Sequence, residues 1–389
     1  MDNQIVTLSD ISVGGKGSYG IAASAVPFSD NLFTYLRITD INDDGTLNLQ
    51  DLKSVDDDRA KDYLLAPNDI VFARTGASTG RNYFYDGTDG EFVYAGFLIK
   101  FSIDSKKVNP KYIKYYCQSK QYKDWINSFN TGSTRGNINA QTLGKMPIPL
   151  INRNQQDALV SILSSIDEKI RSNTEINCNL EQQAQALFKS WFVDFEPFDG
   201  TMPHDWNLGT VADIIQLHDS KRIPLSNRER ANLAKIYPYY GTTSIMDYVD
   251  RYLFDGIYLL LGEDGTVMDD RGFPILQYVE GKFWVNNHAH IITGTNGFST
   301  EMLFLLFSLT NVQSIVTGAV QPKISQANLK GISTIIPPIK VIKKFDIMIQ
   351  PLFSQIRNLN AENESLTNLR DTLLPKLMSG EIDVSKVEL

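Results

Sequence analysis

Two long segments of the chain carry mostly apolar residues at alternating steps of four and three. The first series is Leu159, Leu163, Ile166, Ile170, Asn173, Asn177, Leu180, Ala184, Leu187 and Trp191. The second is Phe345, Ile349, Leu352, Ile356, Leu359, Asn363, Leu366, Arg370, Leu373 and Leu377, each 186 residues after its counterpart. This 3.5-residue period is the seam of a coiled coil. It predicts two helices of roughly 35 to 40 residues, each about 55 Å long.

An asparagine interrupts both seams at the same step, Asn177 in the first and Asn363 in the second. A seam asparagine costs stability but disfavours slipped registers, because only one alignment pairs the amides. We therefore predict that the two helices meet in a coiled coil whose register is fixed by these two residues. If they pack antiparallel, the two halves of the chain are related by a pseudo-twofold axis. The alternative is two amphipathic helices that each lie on their own domain.

Shorter segments upstream of each helix indicate an α/β domain. Strand-like runs include "FTYLRITDI", "DIVFART", "EFVYAGFLIKF", "DGIYLLLGEDG" and "KFWVNNHAHIIT", and helical stretches include "NPKYIKYYCQSKQYKDWINSF" and "STEMLFLLFSLTNV". Prolines in "KMPIPLI" and "STIIPPIK" disfavour helix in the connector before each long helix, so each helix should begin after them. The predicted fold is α+β, with domains at 1–150 and 201–340 and long-helix segments at 151–200 and 341–389.

A Thr-Gly turn recurs with the same 186-residue offset. It occurs as "NTGSTRGNI" at 130–138 and as "VTGAVQPKI" at 316–324. The offset that aligns the two seams therefore also aligns the turns, which indicates an internal repeat.

Composition limits the possible classes of protein. A chain of 389 residues is long enough for two to four domains, and 42% hydrophobic with 21% charged residues is typical of a soluble globular protein. No apolar run approaches the roughly 18 residues of a membrane helix, and we expect no signal peptide. Two cysteines cannot form a disulfide framework, so we expect a cytoplasmic protein. The net charge of -8 argues against indiscriminate polyanion binding and leaves DNA contacts to local cationic loops.

Three catalytic or ligand motifs match by letter but lack their structural context. "GKGSYG" at 15–20 meets Pro27 too soon for a dinucleotide-binding helix. "DINDDGTLNLQD" at 40–51 resembles a calcium loop but follows a strand pattern, so a polar hairpin is the better interpretation. "GASTG" at 76–80 is not followed by a helix, as a hydrolase nucleophile would be.

Metal and cofactor sites receive little support from the sequence. His288 and His290 could share a metal on one strand face, but structural or base-contacting roles are the better interpretation for so few ligands. The chain also lacks a phosphate-binding lysine loop and the Asn/Asp-Pro-Pro-aromatic tetrapeptide of amino-methyltransferases. Any chemistry on DNA or ATP would therefore come from another polypeptide.

Five phrases together resemble the specificity subunit of type I restriction-modification systems. They are "YLRITDI" (35–41), "LFKSWFVDFEPF" (187–198), "YPYYGTTSI" (237–245), "FWVNNHAHII" (283–292) and "LLPKLMSGEIDV" (373–384). The resemblance implies a non-catalytic chain in which two target recognition domains each read one half of a bipartite, asymmetric double-stranded DNA sequence. It also implies an antiparallel coiled coil that sets the half-site distance and docks two methyltransferase (M) subunits and restriction (R) subunits. S-adenosylmethionine, ATP and Mg²⁺ would belong to those partners, and this chain would hold no cofactor or metal and contact no membrane.

Candidate DNA contacts lie on loops that combine glycine with hydroxyl, amide or charged side chains. Arginine can bind guanine O6 and N7, glutamine adenine, and glutamate the amino group of cytosine. In the first domain the candidates are Arg74, Thr75, Ser78, Arg81, Thr131, Ser133, Thr134 and Arg135. In the second they are Gly262, Glu263, Asp264, Thr317, Gln321 and Lys323, with Lys221, Arg222, Tyr240, Thr242 and His288 as secondary candidates. Each of these could instead be a turn residue that faces solvent.

Two other classes of function stay open at this stage. A self-sufficient nuclease would need an acidic metal-binding cluster with a nearby lysine. A coiled-coil interaction protein would use its β-rich domains on protein surfaces.

Overall fold

A computed structural model of the chain describes residues 4–49, 51–129, 137–318 and 320–383. The chain divides into two units. Unit 1 comprises the residues up to Ile170 together with those from Glu364 onward, and unit 2 runs from Arg171 to Asn363.

Unit 1 combines three sheets with short helices. Its elements are β1 (Gln4–Thr7), β2 (Ser18–Tyr19), β3 (Ala25–Pro27), β4 (Phe33–Leu36), β5 (Lys53–Val55), β6 (Asp69–Ala73), β7 (Asn82–Tyr85), β8 (Phe92–Tyr94), β9 (Leu98–Ser102), α1 (Pro110–Tyr116), α2 (Lys120–Asn127), α3 (Ala140–Gly144), β10 (Pro147–Leu150) and the start of α4 (Arg153–Phe192). The described strands form sheets in the orders β2-β9-β6-β7, β3-β5-β4-β8 and β1-β10. The predicted strand runs of this half are confirmed, and its predicted helical stretch forms two helices instead of one.

Unit 2 is built around one larger mixed sheet. Its elements after α4 are β11 (Asn207–Thr210), β12 (Ile215–Leu217), α5 (Asn227–Ala231), β13 (Tyr237–Tyr240), β14 (Ile245–Val249), β15 (Phe254–Gly262), β16 (Leu276–Val285), β17 (Ala289–Gly294), α6 (Thr300–Ser308), α7 (Gln326–Lys330), β18 (Ser333–Ile336) and α8 (Ile339–Ser379). The sheet has the order β12-β17-β15-β16-β13-β14, in which only the β13–β16 pair is parallel among the described strands. β11 and β18 form a separate ribbon.

The internal repeat is visible element by element. The last three elements of each half start 186 residues apart: α3 and α7, β10 and β18, and α4 and α8. β10 pairs with β1, and β18 pairs in the same antiparallel way with β11. The offset differs further upstream, because the loops of the two halves differ in length.

The seam residues of the long helices enter the cores of both units. In unit 1, Leu159 and Leu163 of α4 share one buried cluster with Leu377 of α8. In unit 2, Trp191 of α4 lies in the same cluster as Phe345 of α8. Each long helix therefore contributes to both cores, so the alternative of helices that each lie on their own domain is wrong.

Within each unit the two long helices run antiparallel. In unit 2, Phe188 packs on Phe345, with ring centroids 5.8 Å apart. Asn173, earlier in α4, bonds Asn363, later in α8. In unit 1, Asp167 pairs with Arg370, which continues the same trend. The predicted antiparallel coiled coil is thus confirmed, with helices of 40 and 41 residues.

The interface asparagines form two cross-helix pairs. Asn173 Nδ2 donates to Asn363 Oδ1 over 2.9 Å, and Asn177 Nδ2 donates to Asn360 Oδ1 over 2.7 Å. The sequence predicted that Asn177 and Asn363 would lie opposite each other, and each lies opposite a different asparagine. In an antiparallel pair, positions related by the repeat face each other only where the pseudo-twofold axis crosses the helices, and that point lies between the two pairs.

Among the residues that the structure describes, no helix is both long and apolar enough to cross a membrane.

Candidate nucleic-acid interface

Three backbone segments meet at the end of the central strand β6 of unit 1. The Arg74 N–H donates to Phe97 O (3.1 Å), and the Ile138 N–H donates to Arg74 O (2.9 Å). Next to them, Thr75 forms an isolated β-bridge with Asn137. We call this three-way contact the unit 1 junction.

Unit 2 has the same contact at the end of β15. The Glu263 N–H donates to His288 O (2.9 Å), and the Ile324 N–H donates to Glu263 O (2.8 Å). Asp264 forms an isolated bridge with Lys323. This is the unit 2 junction, and its bonds match those of unit 1 one for one.

A left-handed glycine follows the strand end in both junctions. Gly76 has φ 73° and Gly265 has φ 83°. Side-chain-bearing residues adopt this conformation only at a cost, so glycine lets each loop turn back immediately after its strand. The sequence repeat around the Thr-Gly turns thus corresponds to a shared backbone frame whose side chains differ.

Opposite charges neutralise one another in the unit 2 junction. Arg222 Nη1 lies 2.6 Å from Glu263 Oε2 and also donates to the carbonyl oxygen of Ala289 (2.8 Å). Lys323 Nζ lies 3.2 Å from the other carboxylate oxygen of Glu263. Burial alone would raise the pKa of Glu263, but the hydrogen bond from Arg222 and the positive charges around it lower the pKa. Glu263, a predicted base contact, is therefore ionised and paired on both oxygens.

A buried histidine supports this junction from within. His290 is fully buried; its Nε2 donates to the carbonyl oxygen of Ile324 (2.8 Å), and its Nδ1 contacts Asp219 Oδ2 (2.6 Å). Asp219 also accepts from the Ile291 N–H (2.9 Å) and from Gln326 Nε2 (2.6 Å). Burial would raise the pKa of Asp219, but its hydrogen bonds with His290 and the Ile291 N–H and the nearby charge of Arg222 lower it.

These residues also have the composition of a metal site. Ligand atoms of Asp219, Glu263 and His290 lie within 4.8 Å of one another, and we call these three residues the acidic cluster. Arg222 and Lys323 already supply the positive charge that a cation would bring. The contacts therefore fit an internal ion-pair network better than a metal centre, and His288, whose Nδ1 contacts Asp264, does not belong to the cluster.

The structure gathers most of the second-domain candidates at this junction. Thr242 Oγ1 donates to the carbonyl oxygen of Asp264 (3.2 Å), and Thr317 and Lys323 exchange backbone hydrogen bonds of 2.9 and 2.7 Å. Gln321 is exposed within the turn that these bonds close. The remaining candidates lie on neighbouring elements: Gly262 ends β15, Tyr240 ends β13 and contacts Phe283 edge-on, and exposed Lys221 ends a short 3-10 turn before Arg222.

The first-domain candidates are more widely spread. Ser78 ends the 3-10 turn Gly76–Ser78, directly after Thr75. Arg81 Nε bonds Asp43 Oδ1 over 2.6 Å. The candidates of the Thr-Gly turn, Thr131, Ser133, Thr134 and Arg135, lie outside the described residues.

Two aromatic residues that the sequence did not single out flank Arg74. Its guanidinium carbon lies 5.1 Å from the ring centroid of Tyr19 and 6.0 Å from that of Phe97. Tyr19 is 42% exposed and Phe97 is 57% exposed. Tyr19 lies in β2 and Phe97 in the turn just before β9, so only the pairing of β2 and β6 with β9 shows that both are neighbours of Arg74.

The calcium-like segment is a hairpin bend, as the sequence favoured. The Asn42 N–H donates to Thr46 O (2.9 Å), and Gly45 has φ 81°. Asp40 Oδ1 lies 2.6 Å from Arg37 Nη2, so the carboxylate of Asp40 forms an ion pair with Arg37.

Comparisons with known proteins place the chain in a family. The profile described as "Type I restriction modification DNA specificity domain" matches residues 4–182 and 203–368. The type I restriction enzyme MjaIX specificity subunit of Methanocaldococcus jannaschii is 27% identical over 304 residues, 71% of this chain and 70% of the relative. The type I restriction enzyme HindI specificity subunit of Haemophilus influenzae is 21% identical over 81% of this chain and 86% of its own length.

A solved structure shares the fold. The crystal structure of the type I restriction-modification system S subunit from M. genitalium has a TM-score of 0.53 and 18% identity, and the match covers 97% of this chain and 96% of that one. The family profile matches both halves of the chain and nearly all of its length. The chain belongs to the type I restriction-modification DNA specificity family.

Proposed function

We propose that this chain is the specificity subunit of a type I restriction-modification complex and reads a bipartite, asymmetric sequence in double-stranded DNA. Each junction serves one half of the target. Family membership supports the general role. The observation that carries the bipartite reading is the pair of junctions, which share one backbone frame and differ in side chains.

The differences fall on residue types that distinguish bases. At equivalent positions of the frame, Arg74 corresponds to Glu263 and Phe97 corresponds to His288. Arginine matches the acceptors of guanine. Where a glutamate is already paired, the groups left for DNA are the cations and amides around it. Two such surfaces recognise unrelated sequences, so the whole target is asymmetric.

The chemistry of the complex is assigned to partner subunits. In this proposal two methyltransferase subunits bind S-adenosylmethionine and methylate adenine, and restriction subunits use ATP and Mg²⁺. The paired helices α4 and α8 provide the surface on which these partners dock and fix the separation of the half-sites. The protein acts in the cytoplasm, and its own residues bind DNA without a cofactor.

The acidic cluster and the adjacent Lys323 have the residue types that a nuclease needs, so this alternative requires a direct test. The purified chain should leave supercoiled DNA intact in Mg²⁺, because Arg222 and Gln326 occupy the carboxylates. Cleavage that Asp219→Asn abolishes would favour the nuclease.

Reconstitution tests the main proposal. The chain is combined with the methyltransferase subunit of a type I system from the same organism, and a random DNA library is methylated with S-adenosylmethionine and sequenced. We expect adenine methylation in a motif of two short specific blocks separated by a constant number of unspecified base pairs, and none from either protein alone. Methylation without a bipartite preference would contradict the proposal. Absence of salt-dependent DNA retention by the complex would instead favour a protein-interaction scaffold.

A further inference from the structure

Arg74 stands out among the arginines of the described residues by its surroundings. It is partly buried, and its guanidinium forms no ion pair or hydrogen bond with the described part of the chain. Arg81 and Arg222, the other arginine candidates that the structure describes, each contact a carboxylate at 2.6 Å. A partly buried cation without a counter-charge is costly unless a ligand supplies one.

The two flanking rings hold this cation in place. Tyr19 is fixed at its far end, because its hydroxyl oxygen accepts a hydrogen bond from the Ala140 N–H (3.1 Å). Phe97 is fixed through its backbone, whose carbonyl oxygen accepts from the Arg74 N–H (3.1 Å). Rings within about 6 Å of a guanidinium attract it electrostatically. The guanidinium therefore lies close to two aromatic side chains, and a hydrogen bond anchors the ring of Tyr19.

The unpaired atoms indicate what the arginine can bind. Nε is buried and has no hydrogen-bond partner among the described residues, and the two terminal nitrogens make no bond there either. The terminal nitrogens form a planar fork that matches two acceptors side by side. Guanine presents such a pair, O6 and N7, in the major groove.

The position in unit 2 that is equivalent to Arg74 carries the opposite charge. There Glu263 occupies the same place in the frame and is closed off by Arg222 and Lys323. The flanking position of Phe97 is taken by His288, which contacts Asp264. Only unit 1 thus presents an unpaired cation between exposed rings at this point of the described frame.

We propose that Arg74 reads a guanine in the half-site recognised by unit 1, and that Tyr19 and Phe97 are positioning residues that fix the plane of its guanidinium. This inference rests on the proposed function. The same fork could hold a phosphate, but two neighbouring rings that restrict its orientation would also select which base edge the fork can meet, as a base contact requires. Unit 1 therefore requires a G·C pair in its half of the motif.

The experiment compares variants in the reconstituted methyltransferase complex on the random library. Arg74→Gln should reduce the preference for one G·C pair by about tenfold or more and leave the other half of the motif unchanged. Arg74→Lys should retain more DNA affinity but lose the same preference, because lysine lacks the planar fork. Arg59→Gln is the matched control: Arg59 is an exposed arginine of unit 1, and this variant should keep the wild-type motif.

The positioning role has its own readout. Phe97→Leu should weaken discrimination at the same base pair, and Phe97→Tyr, which keeps the ring, should restore it. Tyr19→Phe, which loses only the bond from Ala140, should have a smaller effect of the same kind. Thermal melting of each variant shows whether the fold is retained.

Two results would overturn this inference while leaving the proposed function intact. In one, the wild type yields a bipartite motif and Arg74→Gln and Arg74→Lys change no base preference. In the other, both variants weaken methylation equally on all sequences and reduce the salt dependence, as expected for a phosphate contact. A wild type without any bipartite motif would refute the proposed function itself.

Discussion

Replacing Phe345 by alanine should strongly destabilise unit 2. Phe345 is a fully buried seam residue of α8. Its ring centroid lies 5.8 Å from that of Phe188, 5.6 Å from that of Trp191 and 4.8 Å from that of Phe192. The substitution would leave a cavity among three large rings on α4 that cannot collapse without moving the helix.

The size of the effect follows from burial and ring contacts. Phenylalanine-to-alanine changes in cores cost about 3–5 kcal/mol. Aromatic pairs of this geometry contribute about 0.5–1.5 kcal/mol beyond their buried area. Because Phe345 has three such partners, we expect a loss of about 4–5 kcal/mol, or roughly 10–15 °C in melting temperature for a unit of this size.

Urea unfolding followed by tryptophan fluorescence measures this loss. Three of the four tryptophans, Trp191, Trp206 and Trp284, lie in unit 2, so the signal reports mainly on that unit. The control is Ile347→Ala, two residues further along α8, where a side chain 73% exposed should change the free energy of unfolding by less than about 0.5 kcal/mol. A loss below about 1.5 kcal/mol for Phe345→Ala would refute this description of the core.

Further predictions concern polar groups. Asn173→Leu should raise the free energy of unfolding by about 1 kcal/mol in urea titrations, because the buried Oδ1 of Asn173 has no partner among the described residues. Water can replace the bonds that its Nδ2 donates to the exposed Glu362 and the partly exposed Asn363, so a decrease would contradict this prediction. Burial alone would raise the pKa of Asp167, but the charge and hydrogen bond of Lys114 and its other partners lower the pKa below its ordinary value. A carboxyl group whose pKa is lower in the folded than in the unfolded state stabilises the fold at pH values above its ordinary pKa. The advantage of the wild type over Asp167→Asn should therefore shrink as the pH falls from about 5 to 3. A difference that stays constant would be inconsistent with the ion pair. Addition of EDTA should leave the melting temperature unchanged, because internal cations neutralise the acidic cluster; a drop would indicate a bound metal.

The periodic parts of the fold could be predicted from the sequence. Helices α4 and α8 were expected from their seams, because a 3.5-residue repeat is a local property of one segment. The 186-residue offset extends to β10 and β18, since the segments that lead into the helices have equal lengths in both halves. The four-segment division of the chain stays a prediction.

Partners that are distant in sequence could not be predicted. Asn360, which bonds Asn177, lies beside the seam, and the axis that brings the two together depends on both helices. The pairing of Glu263 with Arg222 joins loops 41 residues apart, so a residue that looked like a base contact is internally bonded. Tyr19 of β2 lies near Arg74, which follows β6, only because β2 and β6 both pair with β9. No composition or periodicity signal marks such contacts.

Independent reading of two half-sites is tested most directly by exchanging one domain. Residues 1–150 are replaced by the corresponding segment of a relative with a different target, and the motif methylated by the reconstituted complex is determined by sequencing. We predict that one specific block of the motif changes, while the other block stays as in the wild type. A change in both blocks would show that the two halves do not read DNA independently.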